Sequence, residues 1–325
     1  MKLRVATRKS ALALTQTRWV IDALKALTPN LEVEEVQIVT EGDRIQNVSL
    51  AKFGGKGLFV SEVEAALADG RADFAVHSMK DLPAKLGEGL AIACVPKRED
   101  ARDVLITKDG LELDALTAGA RIGTSSLRRS CQLRAFRNDL QYKLLRGNVD
   151  TRLRKLDEGE YEAIVLAHAG LLRLGLASRP LWPIPAEVCL PAVGQGALAL
   201  EARVDDVATN MILAKLEDST TRTCVEAERA FLAMLDGGCH APMAAHARIE
   251  DGERLRIDAM VGAMDGSSIL QAGSEHYCTG LDEEELRSTA IRIGRTLARS
   301  LLQQGAASLL EEARAEAMRV QQTQS

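Results

Sequence analysis

Residues 72–83 read Ala72-Asp73-Phe74-Ala75-Val76-His77-Ser78-Met79-Lys80-Asp81-Leu82-Pro83. The apolar run from Ala72 to His77 has the length of one buried strand, and a polar turn follows it. Pro83 restricts Leu82 and argues against a helix there. In α/β folds ligands bind beyond the carboxyl ends of the strands, so Ser78, Lys80 and Asp81 occupy a position where chemistry is expected.

The same alternation recurs on both sides of this stretch. Lys2 to Thr7 reads as a strand, and Ala13, Thr17, Val20, Leu24 and Leu27 then repeat at helical spacing behind Ser10, a natural N-cap. Val33 to Val39 predicts a second strand, Asp43 to Gly57 a loop, and Phe59 to Ala68 a helix stopped by Gly70. After Asp103 the pattern restarts. Strands are predicted at 104–107, 120–123, 141–145 and 163–167, with helices after 123, from 149 and from 170. Strands alternating with helices predict mixed or parallel sheets covered on both faces. Two such runs predict an α/β fold of two lobes flanking a cleft, as in periplasmic solute-binding proteins. A Pro-rich stretch from Pro180 to Pro191 interrupts the pattern. The strand-like ALALEAR, a helix from about Thr221 to Leu235, strands at 246–249 and 255–261 and a helix near Asp282 follow. The expected division is 1–97 plus about 197–215, 102–192, and a smaller C-terminal α+β domain at 219–325.

The 325 residues suffice for two or three domains, and 46% apolar with 27% charged residues is ordinary globular composition. Aromatics at 3% disfavour base-stacking platforms. Met1 to Ser10 lacks the apolar run of a secretory signal and no stretch approaches the length of a membrane span, so a cytoplasmic protein without a membrane partner is expected. Cys94, Cys131, Cys189, Cys224, Cys239 and Cys278 form no CxxC pair, which disfavours a disulfide framework and a zinc knuckle. His77, His168, His246 and His276 are scattered and read as structural, so no metal is expected. The net charge is −5, yet Arg121 to Lys155 holds ten Arg and Lys against two Asp, about +8. A local basic cluster in an acidic chain points to a pocket for a small anion and away from nucleic acid.

Four segments could carry chemistry. Asp81 reads either as a surface ion pair with Lys80 or as an acid/base group facing a cation. Gly123-Thr124-Ser125-Ser126-Leu127-Arg128-Arg129 opens a helix with backbone N–H groups, hydroxyls and two guanidiniums, where cations oppose the helix dipole and suit a phosphate or carboxylate ligand. Arg146-Gly147-Asn148-Val149-Asp150-Thr151-Arg152 repeats the arrangement, as do Arg8 and Ser10 after the first strand. Arg binds planar oxyanions bidentately, so several of them fit a ligand with several carboxylates. Asp236-Gly237-Gly238-Cys239 reads as a helix C-cap, which explains the glycines, or as a turn that leaves the Cys239 thiol poorly covered. Phe53-Gly54-Gly55-Lys56-Gly57 lacks P-loop spacing, and there is no GxSxG elbow and no HExxH helix.

Together these segments resemble the porphobilinogen deaminase family over nearly the whole chain. The matching pieces are Arg4 to Ser10 with Leu12-Ala13, FGGKGLF (53–59), HSMKDLP (77–83), IGTSSLRR (122–129), RGNVDTR (146–152), LAHAGLLRLG (166–175), PAVGQGALALE (191–201) and the GGC of 237–239. The resemblance implies a transferase that joins four porphobilinogen molecules head to tail, releasing ammonia and finally hydroxymethylbilane. It implies a dipyrromethane cofactor, held by a thioether to Cys239. Asp81 is implied to help protonate the leaving amine and to stabilise the cation left behind. Lys80, Ser78, Asp43, Thr124, Ser126, Arg128, Arg129 and Arg146 are implied to hold the cofactor and the growing chain. Arg8, Ser10, Gln16, Arg152 and Arg173 are implied to bind substrate carboxylates. Lys52, Lys56 and Phe59 fall in the family's flap, and the family's habit implies a monomer. Pro242-Met243-Ala244 departs from the Pro-x-Gly often found after the cysteine. The rival reading is a non-enzymatic anion-binding α/β protein.

Overall fold

The computed structural model describes residues 1–40, 60–235 and 241–322. The chain opens with β1 (Lys2–Arg8), α1 (Ala11–Leu27), β2 (Glu32–Ile38), α2 (Ser61–Ala68), β3 (Phe74–Ser78) and β4 (Leu90–Cys94). It continues through β5 (Asp103–Thr107), β6 (Arg121–Gly123), α3 (Leu127–Phe136), β7 (Gln141–Lys143), α4 (Val149–Asp157), β8 (Ala163–Ala167), α5 (His168–Arg173) and β9 (Leu181–Pro183). Then come β10 (Leu198–Arg203), α6 (Val207–Leu213), α7 (Ser219–Met234), β11 (Met243–Glu250), β12 (Arg254–Gly262), β13 (Ile269–Tyr277), α8 (Glu283–Leu301) and α9 (Ala307–Gln322).

Two mixed sheets form two lobes. The first has the order β2-β1-β3-β10-β4, with β1 parallel to β2 and β3, and β10 running antiparallel between β3 and β4. The second has the order β7-β6-β8-β5-β9, with β6 parallel to β7 and β8, and β5 antiparallel to β8 and β9. Near-continuous apolar strands such as β3 and β8 are what a sheet covered on both faces requires. The third, smaller body is the antiparallel sheet β11-β12-β13, on which Phe231 of α7 and Ile293 and Leu297 of α8 bury against Leu255 and Ile257 of β12. Each such side chain contributes about 1.5–3 kcal/mol on burial.

The chain crosses between lobes twice, at residues 95–102 and 184–197. Gly196 has φ +89°, and a Cβ there would run into Glu99 O and the backbone of Ala101, so the two crossings pack backbone against backbone.

Four elements escape the sequence reading. β13 alternates half-buried with exposed residues, which thins its apolar signal. β9 lies in the Pro-rich stretch expected to be irregular; it sits at a sheet edge, where Pro183 breaks no ladder. β4 and α6 flank the returning strand and lack the strand–helix alternation that marks the rest. The C-terminal helix divides at Gly305, φ +105°.

Candidate active site

Strand ends that turn into helices place most of the candidates. In the first lobe Ser10 closes β1 into α1 and accepts from Ala13 N at 3.3 Å. Gln16, further along α1, is buried and aims its amide at the end of β3. Its Nε2 donates to Ser78 Oγ at 3.1 Å, and the Ser78 hydroxyl lies 3.2 Å from Gln16 Oε1. Met79–Asp81 forms a single 3₁₀ turn. Met79 is buried and its N–H donates to Ala197 O at 3.0 Å, which turns Asp81 outward. Asp81 is exposed and lines a pocket with Arg8, Ser10, Gln16, His77 and Ser78.

In the second lobe Thr124 is buried, its Oγ1 accepts from Ser126 N at 3.2 Å, and Ser126 in turn caps α3. Arg128 and Arg129 turn inward and are buried. Asp103, fully buried at the start of β5, receives both. Arg128 Nη1 lies 2.8 Å from Oδ2, and Arg129 Nη2 lies 2.7 Å from Oδ1. Burial opposes the charge on Asp103, and the two guanidiniums overcome it, holding the carboxyl well below its usual range. Arg128 also donates to Leu190 O at 2.7 Å and Arg129 to Val165 O at 3.0 Å. Cys189 sits 3.5 Å from Asp103 Oδ2, and burial together with that carboxylate pushes its thiol up to about 12, so it is no nucleophile.

Gln195 joins the lobes. Its Nε2 donates to Ala101 O at 2.7 Å and Asp103 Oδ1 at 2.9 Å, and its Oε1 lies 3.4 Å from Lys80 Nζ. Burial, then the nearby Arg129 charge, lowers Lys80 to about 8. Burial and Arg129 likewise lower Arg152 to about 10. Lys80, Arg128, Arg129 and Arg152 therefore form one group of cations linked through Arg129, whose charge acts on both Lys80 and Arg152. Arg152 Nε donates to Gly147 O at 2.8 Å, and Arg173 Nη2 to Gly196 O at 2.7 Å. A carbonyl orients a guanidinium without neutralising it, so both keep a full charge for an incoming anion. Burial lowers Arg173 as well, against Glu99 nearby. Arg146 is half-buried between β7 and α4.

Asp43, Lys52, Lys56, Phe59 and Cys239 lie outside the described residues. The sequence reading missed Asp103 and Gln195, which link the cationic groups. Gln195 stands inside the quoted PAVGQGALALE; Asp103 immediately precedes an apolar strand and carried no motif. Among the described residues no cluster of His, Cys, Asp or Glu could hold a metal, and no helix is long and apolar enough to cross a membrane.

Residues 3–211 match the family model described as porphobilinogen deaminase, dipyromethane cofactor binding domain, and residues 222–303 match the porphobilinogen deaminase C-terminal domain. A porphobilinogen deaminase of Brevibacillus brevis is 49% identical over 311 residues, covering 96% of this chain and 97% of its own. One of Shouchella clausii is 50% identical over 316 residues, covering 97% and 98%. Among solved structures, the methionine binding protein MetQ aligns at TM-score 0.43 and 15% identity, over 66% of this chain and 89% of its own. A probable amino-acid ABC transporter extracellular-binding protein of Bacillus subtilis aligns at TM-score 0.40 and 9% identity, over 66% and 90%.

Proposed function

The chain belongs to the porphobilinogen deaminase family, and from that premise we propose how its own side chains divide the work. It is a transferase of tetrapyrrole biosynthesis that deaminates four porphobilinogen molecules and joins them into hydroxymethylbilane. Relatives about half identical over nearly the whole chain set aside the rival reading of a non-enzymatic anion binder.

The family's dipyrromethane is a polycarboxylate, and the cation group of Lys80, Arg128, Arg129 and Arg152 is of the matching kind. When bound, dipyrromethane supplies the primer to which pyrroles are added. In this reading Cys239 holds it through a thioether, and Ser78, Lys80, Asp43, Thr124, Ser126, Arg128, Arg129 and Arg146 bind its carboxylates and ring nitrogens. Asp103 takes part of the Arg128 and Arg129 charge, so those two residues serve as a buried positive floor.

Arg8, Ser10, Gln16, Arg152 and Arg173 bind the acetate and propionate of incoming porphobilinogen. Asp81 then holds the proton that passes to the leaving amine. As ammonia departs, its carboxylate faces the cation that remains on the substrate. At about 4 Å and an effective dielectric near 20 that interaction contributes about 4 kcal/mol, roughly a thousandfold in rate if felt only in the transition state. Lys52, Lys56 and Phe59 are assigned in this reading to the family's flap. The protein acts as a cytoplasmic monomer without nucleic acid, its lobes dividing near 97–102 and 192–197.

The observation that carries this reading is the exposed carboxylate of Asp81 in a pocket shared with Arg8, Ser10 and Gln16, beside the cation group. Asp81→Asn is expected to lower porphobilinogen turnover about a thousandfold in a folded, cofactor-loaded enzyme, and Asp81→Glu far less. Full turnover in Asp81→Asn removes the role from Asp81.

A further inference from the structure

Behind the reacting turn lies a group of ionisable side chains to which the proposed mechanism gives no part. His77 on β3 and Glu201 on β10 point to one face of the first sheet. Ala199 pairs with His77 in the antiparallel register, which makes Glu201 its diagonal neighbour. His77 Nε2 and Glu201 Oε2 are 2.9 Å apart, with Glu201 fully buried and His77 only 7% exposed. Neither Nε2 nor either Glu201 oxygen has an aligned hydrogen-bond partner among the described residues. Glu64 of α2 covers this face and accepts from Gly87 N at 3.0 Å. Burial raises the Glu64 carboxyl, and Glu201 adds to the rise. Arg229 of α7 lies near enough for its charge to feel Glu201, although burial lowers it.

Buried carboxylates without aligned donors cost several kcal/mol, and apolar residues would fill the same space at little cost. The cluster therefore serves something other than packing. Its position says what. His77 directly precedes Ser78, which Gln16 holds, and Asp81 follows three residues later. At the other end of the turn Arg229 Nη2 donates to Pro83 O at 2.8 Å and Ala84 O at 3.2 Å. One end of the turn thus follows His77, whose Nε2 lies 2.9 Å from Glu201 Oε2, and the other is held by Arg229.

We infer that buried His77 and Glu201, with half-buried Glu64, form an acid–histidine cluster that positions the Ser78–Asp81 turn for the reaction. These are positioning residues, since the mechanism gives them no proton or bond to move, and the inference rests on the functional reading above. Displacing a reacting group by about 1 Å can cost a hundredfold. The test uses the full-length holoenzyme with Glu201→Gln, His77→Gln, Glu64→Gln and the Glu201→Gln/His77→Gln pair. Glu201→Gln and His77→Gln are each expected to lower kcat about tenfold or more. The KM for porphobilinogen should stay within about twofold, the cofactor mass unchanged and melting within a few degrees. The double variant is expected to lose no more than the worse single one. The imidazole nitrogen resonances of His77 are expected to move in Glu64→Gln and Glu201→Gln while those of His168 stay. Wild-type kcat in both single variants, fully additive losses, or an unmoved His77 signal in Glu64→Gln overturns the inference. A wild-type enzyme that leaves porphobilinogen unconsumed overturns the functional reading instead, and the His77 resonances still judge the cluster.

Discussion

Arg129 holds Asp103 through two nitrogens, Nε at 3.0 Å and Nη2 at 2.7 Å from the same Oδ1, with both side chains buried. Gln195 Nε2 reaches that oxygen as well, at 2.9 Å, so a single carboxylate ties the cation floor of the second lobe to the crossing segment.

Removing that charge leaves Arg128 and Arg129 buried without a counter-ion. Asp103→Asn is expected to lower stability by about 3–5 kcal/mol. Because Arg128 and Arg129 depress the folded-state Asp103 against its burial, its contribution is present above the unfolded value near 4 and is lost as pH falls. Urea midpoints should therefore fall with pH more steeply in wild type than in Asp103→Asn once pH drops below about 4. Equal midpoints for the two proteins at pH 7 would contradict the account.

Lys80 shows the opposite sign. Lowered to about 8 from an ordinary 10.5 by burial and Arg129, its charge disfavours folding below about pH 8. In the 8-to-10.5 window the unfolded chain binds more protons, so stability rises with pH there. Lys80→Met is expected to stabilise a cofactor-free Cys239→Ser protein by about 1–3 kcal/mol at pH 7, while weakening cofactor uptake in the Cys239 protein. Urea titrations at pH 7 and 9 check the first part; destabilisation at pH 7 would contradict it.

Arg152 Nε is held by a carbonyl, Gly147 O at 2.8 Å, which orients the guanidinium without neutralising it. Arg152→Ala is expected to raise the KM for porphobilinogen about tenfold or more, with little loss of stability. Arg152→Lys should restore only part, because an ammonium cannot grip a carboxylate bidentately. Steady-state kinetics decide, and an unchanged KM in Arg152→Ala would remove Arg152 from the substrate site.

Periodicity made the strand–turn–helix repeats legible, and with them the strand ends that carry Ser10, Asp81, Ser126 and Arg146. It could not show which way a polar side chain turns once there. Arg128 and Arg129 read as ligand-binding because a cation at a helix N-terminus is otherwise unfavourable. The counter-ion that explains them, Asp103, sits 25 residues upstream of Arg128 on β5, a distance no local pattern spans. The same limit hid the His77–Glu201 pair, which exists only because β10 returns antiparallel beside β3. β13 and β9 escaped for simpler reasons, one being half exposed and the other ending in proline.

The central claim is that this chain builds its product on a dipyrromethane held by Cys239. Intact-mass measurement of the purified protein, with peptide mapping, tests it most directly. A mass excess of one dipyrromethane is expected on the Cys239 peptide and is expected to be absent from Cys239→Ser. An unmodified chain that stays unmodified after incubation with porphobilinogen would contradict it.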